Sequence, residues 1–180
     1  EEIAMYEDEP FWVLIEGLLE RYYADNGLGH RVLGTNETVG NINRESMAAY
    51  HTERYGPQSM MLAAAGNIDF DALVELAETN AGGWENAPGR PTREDPKHQD
   101  VTFEVEKENL AQQYVVLMMP APDRTHPKYH AASMLMQILG GSASDLLHWS
   151  LVDLGIAEHA SASHDMRDGS GEFVCWAVSD

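Results

Sequence analysis

The stretch Gly27–Asn67, GLGHRVLGTNETVGNINRESMAAYHTERYGPQSMMLAAAGN, holds the landmarks that decide the fold. It opens with a glycine-rich loop, after which Asn43 is a good N-cap for a helix that we expect to run to about Tyr55. A Gly56-Pro57 pair then breaks the chain. The short apolar run Ser59–Ala65 lies between two such breaks and predicts a buried strand.

Helices are predicted on both sides of this stretch. Residues 1–25 indicate a helix interrupted at Pro10, with apolar side chains at helical spacing on one face: Trp12, Ile15, Leu18, Leu19 and Tyr22. After the predicted strand, Asp69 begins a helix that Gly82-Gly83 ends. The side chains expected to point inward from it are those of Phe70, Leu73, Leu76 and Ala77.

The second half of the chain is predicted to alternate strands with helices. Residues 84–99 contain three prolines and many charges without an apolar period, which is typical of an interdomain linker. Strands are expected near 100–106, 114–119, 158–164 and 172–179, and helices near 126–139 and 142–153. This order predicts an α+β fold, with helices packed on mainly antiparallel sheets.

Composition excludes several classes of function. A net charge of −19 excludes nucleic acid as a partner and argues against an anionic membrane surface. No apolar run approaches the roughly 20 residues of a membrane span. Cys175 is the only cysteine, so no internal disulfide can form. These features are equally compatible with the cytoplasm and the periplasm.

Together, the landmarks resemble the pitrilysin/insulinase zinc metallopeptidases, in the branch that includes mitochondrial processing peptidase. Leu33-Gly34-Thr35 resembles the family's ILG-[TP] element, Tyr55-Gly56-Pro57 its H-Y-x-x-[EP] break, and Ala63–Asn67 its LAAAG-N strand. Later, Glu108–Met118 and Leu139-Gly140-Gly141 resemble the start of the family's second homologous domain. The landmarks are moderately specific as a set and weak individually.

The resemblance implies a domain plan. Residues 1–83 would be the C-terminal part of a first metallohydrolase-like domain, 84–99 the linker, and 100–180 the N-terminal part of a second, homologous one. The chain is therefore expected to be an internal piece of a longer protein.

The resemblance also implies a zinc site. Active members carry an H-x-x-E-H helix with two histidine ligands and a glutamate base, and a later glutamate is the third ligand. None of the eight histidines here fits that motif. By position, Glu2 looks like the third ligand and Glu1 like its non-ligating neighbour; the alternative is that both are solvated carboxylates at a helix N-terminus. Since one glutamate cannot hold zinc, the 180-residue piece is expected to be inactive and metal-free by itself.

Other candidate groups have simpler structural explanations. His126 and His130 have the i, i+4 spacing of helical metal ligands, but no acidic third ligand follows them. Adjacent carboxylates in Glu7-Asp8-Glu9 diverge on a helix and indicate a solvated face. Cys175 lies in an apolar strand, where a buried and inert thiol is expected.

One departure from the family pattern concerns substrate binding. In active relatives an arginine and a tyrosine of the second domain grip the substrate backbone, and the matching positions here are Leu151 and Glu158. Leucine cannot donate to a carbonyl, and a glutamate repels a developing oxyanion. Arg167 and His159 are the residues available to substitute.

Three hypotheses follow. The first is a piece of a zinc-dependent endopeptidase that acts on peptides or proteins, with the H-x-x-E-H helix upstream. The alternative is a non-catalytic homologue, a structural or peptide-presenting subunit that pairs with a homologous partner or dimerises. The third is an unrelated acidic binding domain, which would fold cooperatively on its own.

Overall fold

The structure, a computed structural model, describes residues 1–87 and 95–180. The chain divides into two compact units: Glu1–Thr35 with Glu94–Asp180, here called the sheet unit, and Asn36–Arg93, here called the helical unit. Residues 88–94, which include much of the predicted linker, lie outside the described part. The predicted domain boundaries at residues 83 and 100 therefore stay predictions.

The sheet unit is built on three antiparallel strands. They are β1 (Gln113–Pro120), β2 (His159–Arg167) and β3 (Ser170–Ser179), and β3 lies in the centre. Strands β2 and β3 form a hairpin whose turn contains Gly169 at φ +78°, a conformation that glycine adopts without steric cost. The central strand is the most buried of the three, as its mainly apolar sequence predicts.

Two N-terminal helices pack beside this sheet. They are α1 (Glu2–Asp8) and α2 (Pro10–Tyr23), and Pro10 occupies the first turn of α2 as the sequence predicts. The Phe11 ring of α2 lies 5.3 Å from that of Trp176 on β3. A short 3₁₀ helix, Gly27–Gly29, follows α2, and the Asn26 side chain accepts a hydrogen bond from the Leu28 amide.

Helix α6 (Tyr129–Gly140) packs on β2. Gly140 permits this close approach, because a Cβ there would overlap the backbone of Ala162. A π-helical turn at His148–Val152 then leads into β2. The core between these elements is formed by Leu18, Tyr22, Tyr23, Ala132, Met136, Ala157, Ala162, Val174 and Val178.

The helical unit contains α3 (Asn36–Gly40), α4 (Arg44–Arg54), a 3₁₀ turn at Pro57–Ser59 and α5 (Phe70–Ala81). Asn43 caps α4 through a capping box with Ser46, and Asp69 caps α5, so both predicted helix starts are confirmed. The predicted inward face of α5 is only partly covered in this unit, where Leu73 and Ala77 are half-buried. Phe70 is 72% exposed and Leu76 60% exposed, because no described element of the unit covers them.

Two predicted strands are absent from the described residues. Residues 60–65 and 100–106 form no ladder, since a strand requires a neighbour for its backbone hydrogen bonds. The segment at 100–106 instead places the Phe103 ring under the Arg21 guanidinium, 4.4 Å from its centroid. The α+β class with an antiparallel sheet is confirmed.

Candidate functional site

Glu1 and Glu2 lie at the start of α1, where the sequence places the candidate metal ligand. Glu1 is the N-cap residue but caps nothing with its side chain, and both glutamates are exposed. The other end of α1 is anchored, because Lys107 Nζ donates to the carbonyl oxygens of Glu7 and Asp8 at 2.7 Å each. The Glu2 carboxylate is therefore accessible to solvent on an anchored helix.

The donor chemistry fits zinc only in part. An exposed carboxylate suits one ligand position, but a catalytic zinc takes three protein ligands. Among residues 1–87 and 95–180, no three His, Cys, Asp or Glu side chains form a group that could hold a metal ion. The neighbouring acids Glu7, Asp8 and Glu9 are exposed. Any complete site therefore needs ligands from elsewhere, and the role of Glu2 stays a prediction.

The histidine pair does not share a helix face. Helix α6 begins at Tyr129, three residues later than predicted, because residues 126–128 form a turn in which His126 Nδ1 accepts from the Lys128 amide at 3.1 Å. His126 thus precedes the helix, while His130 lies in its first turn. The i, i+4 metal-binding geometry is absent.

His164 has a structural role. This buried side chain on β2 lies with Nε2 2.7 Å from the Pro122 carbonyl oxygen and Nδ1 2.9 Å from Ser133 Oγ on α6. Since a carbonyl only accepts, Nε2 donates to Pro122, while Nδ1 and Ser133 Oγ form a second hydrogen bond. The imidazole links strand, helix and loop, whereas His159 on the same strand is exposed.

Cys175 is half-buried rather than fully buried as predicted. Burial raises the pKa of its thiol, which disfavours the reactive thiolate. The expectation of an inert cysteine is consistent with this environment.

A buried polar cluster on β3 was missed by the sequence analysis. Glu172 is 1% exposed and accepts hydrogen bonds from the hydroxyls of Tyr23 and Ser170, while Arg167 Nη1 donates to its second oxygen at 2.9 Å. Burial, and then the hydrogen bond to Glu172, raise the pKa of Tyr23. The one available signal is an acid directly before the apolar run FVCWAV.

The two departures from the family pattern occupy different environments. Leu151 is half-buried in the π-helical turn. The Glu158 amide donates to the Val178 carbonyl at 2.7 Å, and its exposed carboxylate accepts from Gln112 Nε2. Arg167 is engaged by Glu172 and is therefore a poor substitute for a substrate-gripping arginine.

Comparisons with known proteins agree with this fold. The family profile described as the peptidase M16 inactive domain matches residues 41–178. An uncharacterized zinc protease of Mycobacterium leprae is 30% identical over 99% of this chain, which corresponds to 41% of that protein. The uncharacterized zinc protease YmxG of Bacillus subtilis is 29% identical over 98% of this chain and 43% of its own length. The chain thus spans about two fifths of the curated relatives it matches.

Solved structures share the fold. A peptidase M16 inactive domain from Pseudomonas fluorescens superposes with a TM-score of 0.83 at 20% identity, over 98% of this chain and 43% of that one. A subunit of complex III2 from Candida albicans gives a TM-score of 0.74 at 19% identity, over 98% and 44% of the two chains. None of the described helices is long and apolar enough to cross a bilayer. Because the family profile covers most of the sequence, this chain belongs to the peptidase M16 family, the pitrilysin/insulinase-type metallopeptidases.

Proposed function

We propose that this chain is part of a zinc-dependent endopeptidase that hydrolyses peptide bonds, and that Glu2 is one of the protein ligands of zinc. The observation that carries the proposal is the match to the peptidase M16 inactive domain, together with relatives that are named zinc proteases. When bound, zinc would supply the Lewis acidity for attack of water on a peptide carbonyl. The contribution of this chain is an accessible carboxylate on the anchored helix α1.

The test requires the longer protein. The coding sequence upstream of Glu1 is read first, and an H-x-x-E-H motif there supports the proposal. The longer protein is then purified, and its zinc content and its hydrolysis of quenched fluorescent peptides are measured. We expect Glu2→Gln to lower zinc occupancy and activity by at least about tenfold.

The neighbouring glutamate provides the matched control. Glu1→Gln removes the same charge from the same helix end and should retain both zinc and activity. Equal effects of the two substitutions would contradict the ligand role of Glu2. An upstream domain without the two histidines would contradict hydrolysis itself.

A second candidate function has a specific observation in its favour. Leu151 and Glu158 replace the arginine and tyrosine that grip the substrate backbone in active relatives, and Arg167 is already bound to Glu172. These residues support a non-catalytic subunit that acts with a homologous partner. Mixing the longer protein with a homologous subunit from the same organism, followed by light scattering and peptide hydrolysis, tests this. Activity that appears only in the mixture would favour the alternative.

A further inference from the structure

A cavity of about 350 Å³ opens in the sheet unit beside Glu158. Three half-buried aromatic residues line it, Phe11, Tyr114 and Trp176. The other lining residues are Gln112, Glu158, His159 and Val178. Phe11 comes from α2, Tyr114 from β1 and Trp176 from β3. Two adjacent strands of the sheet and helix α2 therefore hold the aromatic residues in place.

The acidic group at this cavity is held in position. The Glu158 amide donates to the Val178 carbonyl at 2.7 Å, which fixes the backbone of Glu158 against β3. Gln112 then links two lining side chains, because its Oε1 accepts from the Tyr114 hydroxyl at 3.1 Å and its Nε2 donates to Glu158 Oε2. The carboxylate and the Tyr114 ring are thus connected before any ligand arrives.

This combination of groups selects a cation with an apolar stem. Ring faces attract cations through their quadrupoles, and a nearby carboxylate adds a full opposite charge. The ring walls also favour burial of aliphatic carbon. The net charge of −19 on the chain further favours cations over anions.

The hydrogen bond from Gln112 to Glu158 favours a lysine side chain over an arginine side chain as the bound cation. A guanidinium binds a carboxylate best through a fork that uses both oxygens. Here Gln112 already donates to Oε2 of Glu158, so a fork would have to share that oxygen with Gln112. An ammonium group needs a single oxygen and can turn its remaining protons toward ring faces or water.

We propose that this cavity binds an alkylammonium group, namely the side chain of a lysine in a peptide. Its biological meaning rests on the proposed function, because a peptide-processing or peptide-presenting protein would use the cavity to select lysine-containing segments. The binding itself requires neither zinc nor hydrolysis. The inference and the proposed function can therefore fail separately.

The test is an NMR titration of the isotopically labelled 180-residue chain. The probe is N-acetyl-lysine methylamide, and the signals followed are the Trp176 indole N–H and the Glu158 amide. The norleucine derivative keeps the aliphatic stem but has no charge. The arginine derivative keeps the positive charge but carries it on a forked guanidinium group. We expect the lysine derivative to bind at least about threefold more tightly than either.

Two variants locate the site. Glu158→Gln preserves an acceptor for Gln112 and should weaken lysine binding by about threefold to fivefold. Glu104→Gln removes the same charge from an exposed position that does not line the cavity, and should leave the affinity unchanged. Dispersed amide spectra would confirm that both variants fold.

Three results would overturn the inference: equal binding of norleucine, preferred binding of arginine, or an unchanged affinity in Glu158→Gln. Loss of binding in Glu104→Gln as well would reduce the effect to general attraction by an acidic chain. In each case the proposed peptidase function would still stand, because it depends on zinc ligands and not on this cavity.

Discussion

The sheet unit and the helical unit differ in how their elements are stabilised. In the sheet unit, side chains from α2, α6, β2 and β3 form a buried core, in which Tyr23 is 1% exposed. In the helical unit, α4 and α5 have well-formed caps but bury no residue. Caps and apolar periodicity are therefore enough to define a helix, whereas a buried core requires contacts between residues that lie far apart in the sequence.

The largest effect is expected from removal of the buried carboxylate. Glu172→Ala leaves Arg167 without its partner and leaves the hydroxyls of Tyr23 and Ser170 with only the hydrogen bond between them. We expect the free energy of unfolding to fall by about 3–4 kcal/mol, measured by urea denaturation followed by circular dichroism. Asp165→Ala, at the exposed register partner on β2, should change it by less than about 0.5 kcal/mol. A similar loss in both variants would contradict the role of the cluster.

A pair of apolar truncations tests the comparison directly. Met136 on α6 is 5% exposed, while Leu76 on α5 is 60% exposed. Met136→Ala should cost about 2–3 kcal/mol of unfolding free energy, because it removes buried surface and leaves a cavity. Leu76→Ala should cost less than about 0.5 kcal/mol, since its side chain gains little from folding. If Leu76→Ala were equally destabilising, α5 would have to be covered in solution.

The capping box of α4 gives a smaller and local effect. Asn43→Ala removes the acceptor for the Ser46 amide, which lies 2.8 Å from Asn43 Oδ1. The stability of α4 should fall by about 1 kcal/mol. Hydrogen exchange of the α4 amides would measure this, and α6, whose N-cap residue Lys128 makes no side-chain cap, serves as the internal reference. Faster exchange in α6 would show that the effect is not local.

The smallest effect at neutral pH is expected for Tyr22→Phe. The Tyr22 hydroxyl is buried without a hydrogen-bond partner among the described residues, so its loss should change stability by less than about 0.5 kcal/mol. Burial, followed by the charges of Glu172 and Asp100, raises the pKa of Tyr22 from 10.0 to about 12. The fold therefore favours the neutral phenol.

The raised pKa of Tyr22 determines the pH range over which the free energy of unfolding depends on this residue. The contribution of Tyr22 to stability is fully present below pH 10 and is lost as the pH rises from 10 toward 12. Urea denaturation across that range should show a shallower decline for Tyr22→Phe than for the native protein. Parallel declines would contradict a raised pKa of Tyr22 in the folded protein. Tyr23 titrates higher still, because it is also hydrogen-bonded to Glu172.

Features encoded within a few residues could be predicted from the sequence. Asn43 and Asp69 begin helices because their side chains reach amides three residues ahead, and Pro10 begins α2 because its fixed φ suits a first turn. The strand predicted near 114–119 is a short apolar run ended by a proline, and the observed strand agrees within one residue at each end. The family resemblance rested on such local landmarks and is confirmed by the family profile.

Features that depend on residues far away in the sequence could not be predicted from local sequence patterns. Residues 60–65 and 100–106 have the composition of strands, but a ladder exists only where another strand lies alongside. Glu172 is an acid just before an apolar run, and its buried role depends on Tyr23, which lies 149 positions earlier in the sequence. For the candidate site, position in a motif suggests Glu2, whose role as a metal ligand stays a prediction because local pattern supplies no further ligands.

The discontinuity of the sheet unit has a consequence for the order of folding. Its two segments are separated by the whole helical unit, and the Tyr23–Glu172 contact closes a loop of nearly the full chain. Contacts of such long sequence separation form slowly, because the entropy of loop closure is lost before the contact is made. During synthesis, α4 and α5 emerge with their caps complete, whereas α2 must wait for β3. Until then its apolar face is a surface on which chaperones would be expected to act.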